Sequence, residues 1–104
     1  MYDEKDWMFN WKGDHMKYFA VLLPMADKEK SAQYRPEHLA FLEKMRDEGH
    51  VRINGKFTDG SGGLVIYQAD SYEQCEEFVK QDPFIMQGAR GYEIIEWEAV
   101  WNED

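Results

Sequence analysis

The chain has 104 residues, 43% of them hydrophobic and 15% aromatic, and a formal net charge of −9. That length suits one domain burying roughly 60–70% of its unfolded surface, and so apolar a composition excludes a disordered chain. Against 12 basic residues stand 21 acidic ones spread along the sequence, which excludes binders of nucleic acid and anionic membranes, since both need clustered Lys and Arg.

Residues 1–15 (MYDEKDWMFNWKGDH) form an acidic arm with Trp7, Phe9 and Trp11 at alternate positions. The alternation suits either an accessory strand or a loose arm whose aromatics pack on the domain, and Gly13-Asp14 separates it from a domain at 16–104. Lys17 to Leu23 (KYFAVLL) is apolar on both alternating faces and stops at Pro24, which predicts a central strand. Asp27 to Gln33 reads as a polar connection. Pro36 suits a first helical position, followed by Leu39, Phe41, Leu42 and Met45 at helical spacing and a stop at Gly49.

Val51 to Asn54 alternates as a strand with one polar face. The turn cluster at 58–63 leads into Leu64 to Tyr67, predicting a β-hairpin. Ser71 and Gln74 have capping-box spacing, opening a second helix with Tyr72, Cys75, Phe78 and Val79 on one face. It ends at Asp82-Pro83. A short helical turn over 84–88 is expected next, then a last strand from Tyr92 to Trp101 with Ile95, Trp97, Ala99 and Trp101 on one face.

The order β-α-β-β-α-β predicts an α+β, ferredoxin-like fold whose first and third strands are central in an antiparallel sheet. KYFAVLL and LVIY, the runs apolar on both faces, suit those places. Arg52, Asn54, Glu93, Glu96 and Glu98 mark the other two strands as edges. Two helices cover one face of such a sheet, so the other needs a cover, and a partner subunit is expected.

Arg35-Pro36-Glu37-His38-Leu39, the hairpin GKFTDGSGG and the later DPF, with MKYF before and YEIIEW after them, resemble the YCII-related family of small dimeric α/β-barrel proteins between Met16 and Trp97. The resemblance implies a homodimer or a higher oligomer, and a His-Asp site that maps onto His38 and Asp82. It also implies chemistry on a small molecule, since a relative eliminates chloride from a chlorinated hydroxyquinol. The family often has a proline before the hairpin phenylalanine; here Lys56 stands in its place, at the pocket rim. The arm lies outside the resemblance.

From the residues alone, His38 shares a helix face with Phe41, Leu42 and Met45, so a partly buried imidazole is expected at the end of the core stripe. Imidazole takes and gives protons near neutral pH, and a carboxylate on one nitrogen fixes its tautomer and stabilises its charged form. The plainer reading is a structural hydrogen bond between a helix and a loop. Asp82 precedes a proline, where aspartate commonly starts a turn, and helix stopping is compatible with catalysis. Arg35, Phe57, Asp59 and Phe84 are the candidate substrate contacts. A solvated arginine is the plainer reading of Arg35, and Asp59 ranks below Asp82 as a base because turns favour aspartate.

No metal or cofactor is expected: His15, His38, His50 and Cys75 lack ligand spacing, and Gly60 to Gly63 lacks the lysine and helix of a phosphate-binding loop. Cys75, the one cysteine, reads as core and rules out an intrachain disulfide. With no apolar run near the roughly 20 residues of a membrane span, and no signal peptide, a cytoplasmic protein is expected. Three functions stay open: a cofactor-free lyase or isomerase acting on a small cyclic molecule through His38 and Asp82, a non-catalytic dimeric binding or accessory protein, and a cofactor-free oxygenase.

Overall fold

The computed structural model describes residues 16–102; the arm expected over 1–15 lies outside them. The elements are β1 (Lys17–Pro24), α1 (Lys28–Asp47), β2 (Val51–Lys56), β3 (Gly62–Ala69), α2 (Tyr72–Lys80), α3 (Pro83–Met86) and β4 (Glu93–Trp97). The strands form one antiparallel sheet in the order β2-β3-β1-β4. The two runs apolar on both faces are therefore the central strands, and the chain has the expected α+β, ferredoxin-like arrangement. Among the described residues, no helix is long and apolar enough to cross a membrane.

Strand alternation assigns each side chain to a face. Phe19, Val21 and Leu23 of β1 and Val65, Tyr67 and Ala69 of β3 share one face, where Leu42 and Met45 of α1 and Cys75 and Val79 of α2 complete a buried cluster. Burying each large side chain of this kind contributes about 1.5–3 kcal/mol. Tyr18, Ala20 and Leu22 point to the other face, opposite Trp97, Ile95 and Ile66 among their strand partners.

Two boundaries differ clearly from the sequence reading. The first helix begins at Lys28, not at Pro36, and the supposed polar connection is its first two turns. Asp27 caps it by accepting the Lys30 N–H at 3.0 Å, and the Lys, Glu, Ala and Gln that follow are good helix formers. Pro36 is absorbed mid-helix although it has no N–H for the helical ladder, a local penalty of about 3 kcal/mol that the buried face of α1 offsets. The last strand also stops at Trp97 rather than Trp101, and Trp101 instead meets the Tyr18 ring edge-on at 5.8 Å.

The second helix starts as its capping signal predicts: the Gln74 N–H donates to Ser71 Oγ at 3.1 Å. Its reciprocal bond reaches one residue further back, from the Asp70 N–H to Gln74 Oε1 at 2.8 Å. At the hairpin, Gly62 has φ +149°, and a side-chain carbon there would stand 2.3 Å from the Leu23 carbonyl oxygen. Only glycine lets the start of β3 approach the end of β1 this closely.

Candidate functional site

His38, Leu42 and Met45 are buried residues of α1 on its sheet-facing side, so the helix delivers the imidazole to the core's edge. Its partner is set by the interruption between α2 and α3. Pro83 disfavours the helical region for the residue before it, and Asp82 is extended, with φ −66° and ψ 126°. There it caps α3, accepting the Phe84 N–H at 2.9 Å.

The same carboxylate lies 2.8 and 3.0 Å from His38 Nδ1 through its two oxygens. Asp82 is fully buried and His38 is 7% exposed. Phe84 stacks on the imidazole, centroids 3.8 Å apart and planes within 12°. One hydrogen-bonded edge and one covered face hold the ring in a single orientation. With Nδ1 donating to Asp82, Nε2 is left without a partner among the described residues and carries the lone pair of the neutral ring.

His38 lines a cavity of about 130 Å³ between α1 and the β2–β3 part of the sheet. Arg35, Lys56 and Arg90 also line it, with Leu39 and Leu64 among its apolar walls and no carboxylate on its surface. A chain of net charge −9 therefore folds a half-open recess lined by three basic side chains, of which Arg90 is buried, Arg35 half-buried and Lys56 exposed. Grouped cations in a low-dielectric recess attract anions more strongly than the same charges dispersed in solvent.

Arg90 was not singled out by the sequence reading. Gly88, at φ +76°, closes α3 in a left-handed turn in which the Gly88 N–H donates to the Ile85 carbonyl at 3.2 Å and the Ala89 N–H to the Phe84 carbonyl at 2.9 Å. The Ala89 carbonyl then accepts the Ala26 and Asp27 N–H groups, both at 3.0 Å, and Arg90 bridges to Met25. The guanidinium, 7% exposed with its residue, donates to the Leu23 carbonyl at 3.3 Å and Ser31 Oγ at 3.1 Å. Its central carbon lies 4.5 Å from the centre of the Phe84 ring. Burial lowers its pKa, the Arg35 charge lowers it further, and Asp82 acts in the opposite direction. The sequence signal available for it was an arginine two residues after the glycine that ends the DPF turn.

The other expected contacts are distributed around this centre. Arg35 lines the cavity beside His38. Phe84 lies behind the imidazole and orients it. Phe57, 37% exposed, lines two neighbouring recesses along the hairpin. Asp59 sits in the exposed turn, accepting the Ser61 N–H at 2.9 Å, and hydrogen bonding from the Ser61 side chain and backbone holds its carboxyl below the ordinary value.

Known proteins are similar in both sequence and fold. The uncharacterized protein YjpA of Bacillus subtilis (strain 168) is 28% identical over 81 residues, covering 78% of this chain and 95% of that protein. Among solved structures, the 5-chloro-2-hydroxyhydroquinone dehydrochlorinase TftG of Burkholderia phenoliruptrix AC1100, in complex with 2,5-dihydroxybenzoquinone, superposes with a TM-score of 0.69 at 20% identity. The alignment covers 80% of this chain and 95% of that one, and at this identity it establishes a shared fold. The YCII-related domain matches residues 16–98, nearly the whole folded unit, and the chain belongs to the YCII-related family.

Proposed function

We propose that the protein is an enzyme of the lyase or isomerase type that acts on a small cyclic molecule, with His38 as general acid/base and Asp82 as its orienting partner. The observation that carries this reading is the buried bond from His38 Nδ1 to Asp82, with the other ring nitrogen left for a molecule in the adjoining cavity. Neutral Nε2 takes a proton from substrate carbon or oxygen. The released electron pair forms a new double bond, and a leaving group departs from a neighbouring atom or a proton returns elsewhere. Asp82 stabilises the imidazolium formed in that step. The likeness to TftG favours elimination from a hydroxylated ring, such as dehydrochlorination, as the first reaction to test.

The test is chloride release and absorbance change on adding 5-chloro-2-hydroxyhydroquinone, then a panel of hydroxylated and halogenated ring compounds, to purified protein. Turnover is expected to lose roughly 10²–10⁴-fold in His38→Ala. A ligand bound by the wild type, with no turnover of any panel member, would favour the second reading, a non-catalytic binding or accessory protein.

The working unit in this proposal is a homodimer joined through the sheet's open face. Ile53, Ile95 and Trp97 are 63%, 44% and 46% exposed there, an unusual concentration of large apolar side chains in water. Pairing two such faces would remove roughly 1,000 Å² or more of surface. Sedimentation as a dimer at micromolar concentration is the expected result, and a monomer would oppose it.

A further inference from the structure

Arg90 makes more of the cavity than a basic lining. A buried charge is costly unless it is paired, and carboxylates normally supply that pairing. Among the described residues, Arg90 has no carboxylate at ion-pair distance; Asp82, whose charge it feels, is engaged by His38 and the Phe84 N–H. Of the five N–H donors of a guanidinium, one each goes to the Leu23 carbonyl and to Ser31, and the buried Nε has no acceptor. Those two bonds tie the end of β1 to α1, yet they satisfy neither the charge nor the remaining donors.

The guanidinium also borders the cavity. Nη1, which donates one of its two N–H groups to the Leu23 carbonyl, lies beside Gly63, 3.5 Å from where a side-chain carbon at that position would stand, and both Gly63 and Arg90 line the cavity. Phe84 contacts both the guanidinium and the imidazole, so one aromatic ring sets the spacing of the fixed cation and the proton-transfer group. Arg35 adds a second positive charge to the same recess.

We propose that Arg90, assisted by Arg35, is an anion subsite that takes a carboxylate, phenolate or enolate oxygen of a flat ring compound and turns the ring toward His38 Nε2. The substrate class is thereby narrowed to small planar anions. A planar guanidinium suits such oxygens because its fork of donors matches a flat acceptor. The inference rests on the proposed function for what happens at Nε2, but the binding step can be tested without turnover.

The probes are benzoate and its neutral counterpart benzamide, added to the full chain and followed by calorimetry and by the Arg90 side-chain Nε–H resonance, assigned through its loss in Arg90→Lys. Benzoate is expected to bind roughly tenfold or more tightly than benzamide, as a charge-assisted hydrogen bond requires. It should also move the Arg90 resonance, and folded Arg90→Gln should lose the preference. His38→Ala should keep it. Benzoate binding no tighter than benzamide, or an Arg90 resonance unmoved at saturation, would overturn the proposal; should Arg90→Gln fail to fold, the wild-type resonance decides. Retained anion preference without turnover of any ring compound would count against the proposed enzyme and leave the subsite standing. Turnover dependent on His38 with no anion preference would do the reverse.

Discussion

The two faces of the sheet are built by the same four strands with the same alternation, yet they meet different fates. Phe19, Val21, Val65 and Tyr67 on the helix side are at most 2% exposed, whereas Ile53, Ile95 and Trp97 on the other side are 44% exposed or more. Alternation decides which side chains share a face; it does not decide whether their own chain covers them. Two helices shield one face, and the candidate site lies on that side, because a histidine held by a buried carboxylate needs both water exclusion and packing to fix it. The open face offers apolar area, the requirement of an interface rather than of a reaction.

The largest expected effect separates the faces by stability. Phe19→Ala should lower the unfolding free energy by about 3–5 kcal/mol, as truncation of a buried aromatic does. Ile53→Ala should change that of the folded chain by about 0.5 kcal/mol or less. Urea denaturation at a concentration low enough to suppress association measures both, and comparable losses would break the contrast.

A smaller loss is expected within the covered side. Asp82→Asn keeps an oxygen for the Phe84 N–H and the extended conformation before Pro83, but removes the charge facing His38. It should cost about 1–3 kcal/mol while leaving the circular dichroism spectrum unchanged, and lower any turnover without abolishing ligand binding. An Asn variant as active as the wild type would make Asp82 a turn residue and nothing more.

The open face should reveal itself through association. Trp97→Lys places a charge among apolar neighbours that the described residues leave exposed, so it should leave the fold intact and shift sedimentation from dimer to monomer. A wild-type dimer unaffected by this change would place the contact elsewhere.

A separate effect is alkaline. Burial pushes the Cys75 thiol from the usual 9.0 up to about 12, with a further contribution from Glu76, and burial raises Tyr67 as well, helped by the Asp82 charge. The folded protein thus keeps protons that the unfolded chain releases. Their contribution is fully present below pH 9 and declines as pH rises toward 12. Urea midpoints across that interval should fall and the fall should be gentler in Cys75→Ala, while thiol reagents at pH 8 should label Cys75 only on unfolding.

Much of this was readable in the residues. Strand periods, the hairpin, the Ser71 cap and the break at Asp82-Pro83 are local signals, and they sufficed for the fold and the strand order. The start of α1 was misread because a proline favoured at a first helical turn is also tolerated mid-helix when tertiary packing supports the rest, and no local signal distinguishes the two. His38 and Asp82 were singled out together through a family resemblance, for nothing in a separation of 44 positions marks them as partners.

What the sequence by itself determined is therefore what a few neighbouring residues decide: backbone preference, the side each residue faces, and where elements stop. Only the tertiary structure decided which of these residues meet. Arg90 is ordinary in the run Gly88-Ala89-Arg90-Gly91, and becomes a buried cation because the turn after α3 is pinned across the end of β1. The cationic cavity in an acidic chain arises likewise, from α1, the hairpin and that turn converging. Local sequence specifies conformation, whereas electrostatic environment depends on burial and distance, which exist only once remote segments have packed.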